Sequence, residues 1–522
     1  MLRAFSLYDL KVVAHFLGVI LLMTAASMLV PFAVALINQE WSPACDFIFS
    51  GGLCALVGVL LLLLKIRPSA LNSRQAMLLT GLTWVLISFF GAIPLYLTGH
   101  FNSFFDALFD SVSGFTTTGC SLISDVDHLA YSHNIWRLMT HVIGGQGIIA
   151  FALTVGIFAR SSGAGSLYKA EGKSDSILPN IVQTVRFSMF VTIFFVSLGS
   201  AFLWLIMLGQ GMEAGRSIFH SFAISAAAFG TGGFAPMSSS ITYYHSMGVE
   251  FVLMILMCAG ALNFTLYFAI WHGSIDEFLR NIEVKTLAYW GFAVMLIFSV
   301  AFAHDSLLGS NLMALIRRGV FTVVAAISNA GFTTFYTSQV AHEATPAIMF
   351  AIILAMSIGG ATGSTSGGIK ALRIALIVKS VLADVKRALS PDGAQVRIKY
   401  HHMHDKILDN ETASQALSVF LLFVITYLLG TMVAVGLGYP PLQAAFESVS
   451  VTSNAGMSAG IVDANMPFIL KLLYMLQMWA GRLEFLALLA LIAGIYVSFK
   501  PKRERVSKFK KRLEESLDRY GI

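Results

Sequence analysis

Four short stretches carry the residues best suited to chemistry. They are Ser113-Gly114-Phe115-Thr116-Thr117-Thr118-Gly119, Phe229-Gly230-Thr231-Gly232-Gly233-Phe234, Ile327-Ser328-Asn329-Ala330-Gly331-Phe332 and Thr452-Ser453-Asn454-Ala455-Gly456-Met457. Each places small or hydroxylated residues before a glycine. What these stretches offer is backbone: glycine reaches dihedrals closed to other residues, and small side chains leave carbonyl oxygens unobstructed. Four such loops around one axis make a ring of carbonyls, the arrangement that replaces the water shell of a potassium ion. The candidate ion-binding residues are Thr117, Thr118 and Gly119; Thr231, Gly232 and Gly233; Asn329, Ala330 and Gly331; and Asn454, Ala455 and Gly456.

The elements that must hold these loops are apolar. Of 522 residues, 57% are hydrophobic and 12% charged, against about a quarter charged in ordinary globular domains. The solvent for most of this chain is therefore a bilayer. A spanning helix needs about 20 mostly apolar residues, and ten candidates meet this: 12–37, 46–64, 76–98, 136–158, 187–209, 249–271, 286–303, 347–380, 412–437 and 468–498. The first is too long for a signal-peptide core. Cys45, Cys54, Cys120 and Cys258 show no metal-like spacing and read as small apolar residues. No paired carboxylates, metal cluster or nucleophile with a base occurs in the spans, which argues against an enzyme.

Between the third and fourth candidates, and after the fifth, seventh and ninth, lie apolar stretches too short to cross. The expected fold is thus all-α, with about ten transmembrane helices: two lone helices, then four pseudo-repeated units of helix, half-helix, loop and helix around one central pore. The boundaries are 1–75 for the two lone helices, 76–186 for the first unit with its loop at 104–123, and 187–285 for the second with 216–236. The third, 286–411, carries 317–335, and the fourth, 412–499, carries 441–459; a basic tail fills 500–522. Ala107-Leu-Phe-Asp-Ser-Val-Ser113 matches Ala444-Ala-Phe-Glu-Ser-Val-Ser450, and Gly319-Val-Phe-Thr-Val-Val-Ala325 is a looser copy. Phe109, Phe321 and Phe446 each precede their loop glycine by ten residues, whereas Phe219 precedes Gly233 by fourteen. The extra four are about one helical turn. Each loop glycine is followed 25 to 28 residues later by another, at Gly144, Gly260, Gly359 and Gly481, inside a helix expected to line the axis.

With the N-terminus inside, about 28 of the 34 basic residues fall inside; Arg137, Arg216, Arg317, Arg318 and Lys471 fall outside and Arg482 lies within a helix. This asymmetry orients the chain, with both termini cytoplasmic and the four loops open to the exterior. The stretch 358–370 interrupts the eighth helix with glycines, each costing about 1 kcal/mol in a helix. Unwound backbone at that depth survives only when buried in protein or facing water. Gly363 and Gly368 have the spacing of a phosphate-binding loop, but Ile369 occupies the lysine position, so nucleotide binding is rejected. Arg482, near the middle of the last span, needs partners to offset about 2.5–3.5 kcal/mol of insertion cost.

The chain resembles the TrkH/TrkG/KtrB family of potassium-uptake proteins. The match runs from about residue 76 to 498, and the two leading helices resemble the TrkH branch. It is carried by Gly-Phe-Thr-Thr-Thr-Gly at 114–119, Ser-Asn-Ala-Gly-Phe at 328–332, Gly-Gly-x5-Ser-Gly-Gly-Ile-Lys-x-Leu-Arg at 359–373 and Gly-Arg-Leu-Glu at 481–484. The resemblance implies one filter glycine per loop, at Gly119, Gly233, Gly331 and Gly456, and glycine at all four favours potassium over sodium. The second loop departs through its added turn and its two glycines, so Gly232 and Gly233 both remain candidates. The resemblance also makes 358–369 an intramembrane gate loop, with Gly359, Gly360, Gly363, Ser364, Gly367, Gly368 and Lys370 as its residues and Arg482 holding it shut. It implies a homodimer in a bacterial or archaeal cell (inner) membrane. A cytoplasmic nucleotide-binding subunit of Trk A type would act in trans, since no nucleotide fold occurs here. The expected function is potassium uptake by the ion-conducting subunit; the alternative is a sodium-permeable or ion-coupled (K+/Na+ or K+/H+) symporter of the same fold. No cofactor other than the transported K+ is expected.

Other groups carry weaker expectations. Asp110 and Glu447 occupy matching half-helix positions and are candidates for attracting cations, or simply for pairing near helix ends. His401-His402-Met403-His404 reads as a solvated face rather than a metal site. The basic residues at 500–512 read as a stretch drawn to anionic membrane lipid, and with 384–410 form a possible docking surface for a soluble partner. No nucleic-acid partner is expected.

Overall fold

A computed structural model describes residues 5–64, 66, 71–123, 125–154, 171, 181–303, 313, 315–391 and 397–499. The basic tail and Lys65, Arg67, Arg160, Lys169 and Lys173 lie outside the described residues. Among the described residues the fold is helical apart from two small two-stranded ladders, at 358–359 with 369–370 and at 399–402 with 404–407.

The chain opens with a helical hairpin, Leu7–Ser27 continued by Leu29–Ile37, then Trp41–Leu62. Ser6 and Asp9 form a reciprocal cap at its start. Gly18 and Gly58 bring the two helices together: a methyl on Gly18 would lie 2.6 Å from the Gly58 carbonyl oxygen. Small residues permit such approach between membrane helices. The hairpin covers the outer helix of the first unit, Ser73–Leu97, which is 67% buried across its apolar window, whereas the outer helices of the third and fourth units are only 22% buried.

Each unit then follows one plan. The outer helices are Ser73–Leu97, Ile181–Gly209, Ile282–Ala303 and Asn410–Gly436. The half-helices are Phe104–Phe115, Ala214–Phe229, Val320–Ile327 and Pro441–Thr452, the third entered through a π-helical turn at Leu315–Gly319. The inner segments of all four units are broken, where the sequence predicts a break only in the third. The first splits at Gly147 into Tyr131–Gln146 and Ile148–Thr154. The second bends by 97° between Met247–Ala261 and Phe264–Trp271. The third unwinds between Pro346–Ser357 and Ala371–Ala388, and the fourth breaks between Phe468–Arg482 and Leu486–Phe499. Because of these breaks, only six single helices among the described residues are long and apolar enough to cross a membrane, or seven counting the bent pair.

Three of the basic residues predicted on the loop-bearing side are held by acids. Arg137 Nε donates to Asp110 at 3.0 Å, Arg317 forks onto Glu250 at 2.8–3.1 Å, and Lys471 donates to Asp106 at 2.6 Å. Arg216 and Arg318 lie over the rings of Tyr243 and Phe335. These exceptions to the charge asymmetry are therefore local structural pairs.

Candidate functional site

The four loops share one backbone path. At the end of each half-helix, Thr117, Thr231, Asn329 and Asn454 turn left-handed, with φ of 56°, 49°, 54° and 54°. Two residues on, Gly119, Gly233, Gly331 and Gly456 do so again, at 89°, 76°, 75° and 77°. Between them the N–H groups of Thr118, Gly232, Ala330 and Ala455 donate back to Ser113, Ala227, Ala325 and Ser450 at 2.8–2.9 Å. This is a helix-ending turn in which loop donors satisfy the last helical carbonyls. In a trans peptide the carbonyl opposes its N–H. The loop carbonyls of Thr117, Thr231, Asn329 and Asn454 therefore point away from their half-helices.

The loops meet in a closed ring, in chain order. A methyl on Gly119 would strike the carbonyl oxygen of Gly232, and one on Gly233 would lie 2.7 Å from that of Ala330. One on Gly331 would strike the carbonyl of Ala455, and one on Gly456 that of Thr118. Each glycine thus faces the backbone of the next loop, and the fourth returns to the first. Gly232 has a different neighbour: its α-carbon faces the ring of His141. His141 sits behind both loops, with Nδ1 2.9 Å from the Gly114 carbonyl and Nε2 accepting from the Phe234 amide at 3.3 Å.

The added turn of the second unit lies outside its loop. Ala214–Phe229 ends at the same offset from its loop glycine as Phe104–Phe115 and Pro441–Thr452, and begins four residues earlier. Ala223, fully buried, takes the place of Phe109, Phe321 and Phe446, and Phe219 sits one turn further out beside Tyr131. Gly144, Gly260 and Gly481 press against the terminal carbonyls of their half-helices, at Phe115, Phe229 and Thr452. Gly359 faces Gly367 and Asn329 instead, because 358–370 folds back there.

That unwound loop crosses beneath the ring and touches every unit. The Thr365 hydroxyl donates to the Phe229 and Gly260 carbonyls at 2.8 and 2.9 Å, and the Ala361 amide to Ala261 at 2.8 Å, all in the second unit. Gly360 lies against Ala261, Gly367 against Ser453 and Asn454, and Gly368 against Gly359 and Asn329. The Thr365 methyl group lies beside Gly145 of the first unit, which also faces the Gly230 backbone. Gly363, in the left-handed region at φ 67°, faces Asn263. Ser364 donates to Ala361, and Lys370 donates its ammonium to the Ser366 carbonyl. Arg482 donates to the Thr365 carbonyl at 2.7 Å, to Thr117 Oγ1 at 3.1 Å, and to the Gly144 and Gly145 carbonyls at 2.5 and 3.0 Å. Its partners are thus oxygens of the loop and of the first unit, while Glu484 pairs with Arg373.

Asp110 and Glu447 both pair locally. Asp110 is held by Arg137, and Glu447 accepts from Ser458 and from the amides of Ala459 and Ile461. The histidine run is not wholly on a solvated face. His402 is 1% exposed, and His401 bridges Asp405 and Glu277 at 2.7 and 2.9 Å. The hydrogen bonds to Asp405 and then Glu277 hold the His401 imidazole above its ordinary pKa. Sequence reading missed the braces. Asn329 and Asn454 send their amides to the Met356 and Met478 carbonyls, both at 2.9 Å, and Asn454 also reaches Thr118 Oγ1 at 3.0 Å. The signal available was the Ser-Asn-Ala-Gly repeat, which places an asparagine two residues before each of those glycines.

The model of the TrkH family, described as a cation transport protein, matches residues 47–498. The chain belongs to the TrkH family. Relatives of this TrkH-family chain span most of its length. An uncharacterized cation transporter of Methanocaldococcus jannaschii is 30% identical over 489 residues, covering 94% of this chain and 96% of the relative. The Trk system potassium uptake protein TrkG of Escherichia coli is 28% identical over 496 residues, covering 93% and 98%. The crystal structure of the potassium transporter TrkH from Vibrio parahaemolyticus superposes with a TM-score of 0.78 at 23% identity, over 92% of this chain and 98% of that one. The fold is therefore shared over 92% of this chain.

Proposed function

We propose that this TrkH-family chain takes up potassium as the ion-conducting membrane subunit of a Trk-type system. The observation that carries the reading is the closed ring, in which Gly119, Gly233, Gly331 and Gly456 each abut the carbonyl before the next loop's glycine. A ring of backbone oxygens on small residues replaces hydration water around an alkali cation. The filter residues are Thr117, Thr118, Gly119, Thr231, Gly232, Gly233, Asn329, Ala330, Gly331, Asn454, Ala455 and Gly456, with Gly233 at the ring position of the second loop. Its φ and its contact with Ala330 support that assignment over Gly232.

The loop 358–370, with Gly359, Gly360, Gly363, Ser364, Gly367, Gly368 and Lys370, closes the path beneath the filter. Arg482 holds it there through the Thr365 carbonyl. The membrane potential drives entry, at about 2.3 kcal/mol per charge per 100 mV. By its likeness to Trk proteins the chain works as a homodimer in a bacterial or archaeal cell membrane, with cytoplasmic termini, and a nucleotide-binding regulatory subunit joins it in trans.

The test is growth of a potassium-uptake-deficient cell at low external potassium, paired with potassium, rubidium and sodium flux in liposomes. Rescue with potassium and rubidium flux well above sodium is expected. Equal sodium flux, or flux that follows a sodium or proton gradient, points instead to a sodium-permeable or coupled symporter and overturns the reading.

A further inference from the structure

A fully buried carboxylate, Glu283, opens the outer helix Ile282–Ala303. Its Oε1 accepts from the Thr362 amide at 2.7 Å and from the Thr362 hydroxyl at 2.8 Å. Its Oε2 accepts from Asn263 Nδ2 at 3.3 Å, in the break of the second inner segment. One side chain thus ties the unwound loop to the second and third units at Thr362, three residues before the Thr365 carbonyl that Arg482 holds.

The same carboxylate faces the surface ladder. His402, buried at the tip of Lys399–His402, brings Nδ1 to 3.7 Å from Glu283 Oε2. The ladder is fastened again at Glu277, which accepts from His401 and from the Met403 amide at 3.0 Å. Lys379, on the helix that leaves the loop, donates to the Lys399 carbonyl at 3.0 Å. The second strand, His404–Ile407, faces outward, with Ile407 half exposed. A displacement of this exposed strand therefore acts on His402, and through it on the carboxylate that grips Thr362.

We propose that Glu283 is the positioning residue that anchors the gate loop at Thr362, and that the ladder 399–407 is the lever that moves this anchor through His402. The inference rests on the reading of 358–370 as a gate. The test is rubidium and sodium flux of the full chain in liposomes. Glu283→Ala removes the acceptor of all three hydrogen bonds and should raise rubidium flux at least roughly ten-fold, about what the loss of a single charge-assisted hydrogen bond gives, with the rubidium-to-sodium ratio unchanged. Glu283→Gln keeps an acceptor for Thr362 and should restore flux close to that of the unaltered chain. His402→Ala should raise flux by itself and add nothing in either Glu283 variant.

The inference is overturned if Arg482→Ala raises flux while Glu283→Ala does not, or if the His402→Ala effect persists in full in both Glu283 variants. Should Arg482→Ala and Glu283→Ala both leave flux unchanged, the gate reading itself fails. If Glu283→Ala is not recovered folded, as judged by size-exclusion chromatography, Glu283→Gln with and without His402→Ala decides by the same criterion.

Discussion

Gly119→Ser probes the ring at its first position. Gly119 stands at φ 89°, and an added β-carbon would meet the Gly232 carbonyl oxygen and lie 3.2 Å from the Gly233 α-carbon. A non-glycine residue in the left-handed region costs about 1–2 kcal/mol. The obstacle is backbone, so it cannot swing aside as a side chain would. The strain is relieved by withdrawing the Gly232 carbonyl from the ring, and free energy of the same order is lost from ion discrimination. One to two kcal/mol corresponds to a fall of roughly 5–30-fold in the ratio of potassium to sodium uptake. The assay is paired rubidium and sodium tracer uptake into liposomes. Gly436→Ser serves as control, because its β-carbon would have no heavy atom within 4 Å. A Gly119→Ser protein with normal flux and an unchanged ratio refutes the assignment of these carbonyls.

Three further outcomes follow from the same geometry. Gly233→Ala should lower the potassium-to-sodium ratio several-fold more than Gly232→Ala, which presses on the His141 ring instead of the next loop; equal ratios for the two proteins would contradict this. Asp110→Ala should destabilise the protein by about 3–5 kcal/mol, since it strands a buried Arg137; thermal unfolding in detergent reads it, and Asp110→Ala with Arg137→Met should recover most of the loss. His401 has a raised pKa from its hydrogen bonds to Asp405 and Glu277, so its hold on the ladder is complete below the ordinary imidazole pKa and fades as pH rises through the raised one. Exchange of the Met403 amide, corrected for intrinsic rate, should therefore speed up as pH rises past the raised imidazole pKa, and unchanged protection would count against the bridge.

The loops were legible because their requirement is compositional. Small residues and a glycine are needed wherever backbone must pack on backbone, and the Phe109, Phe321 and Phe446 register marks the shared half-helix. Phe219 misled as a marker, because length was added at the far end of its helix and Ala223 fills the equivalent position. The breaks in the inner segments were only partly legible. Clustered glycines announced 358–370, but Glu484 and Phe485 turn left-handed at φ 52° and 67° without any residue type that signals it. There tertiary packing overrides local preference. The pairing of Asp110 with Arg137, and of Glu283 with Thr362, joins residues far apart in sequence, and such contacts leave no local pattern.

Four quadrants of one polypeptide need not be alike, and among the described residues only the third carries a long unwound segment. If 358–370 is the gate proposed above, conduction hinges on a single arm swinging aside rather than on four helices parting in concert. Such a latch would have no matching arm among the described residues to make its response steep, and on that reading a sharp dependence on a signal would have to come from outside the pore, through a partner that grips the exposed ladder.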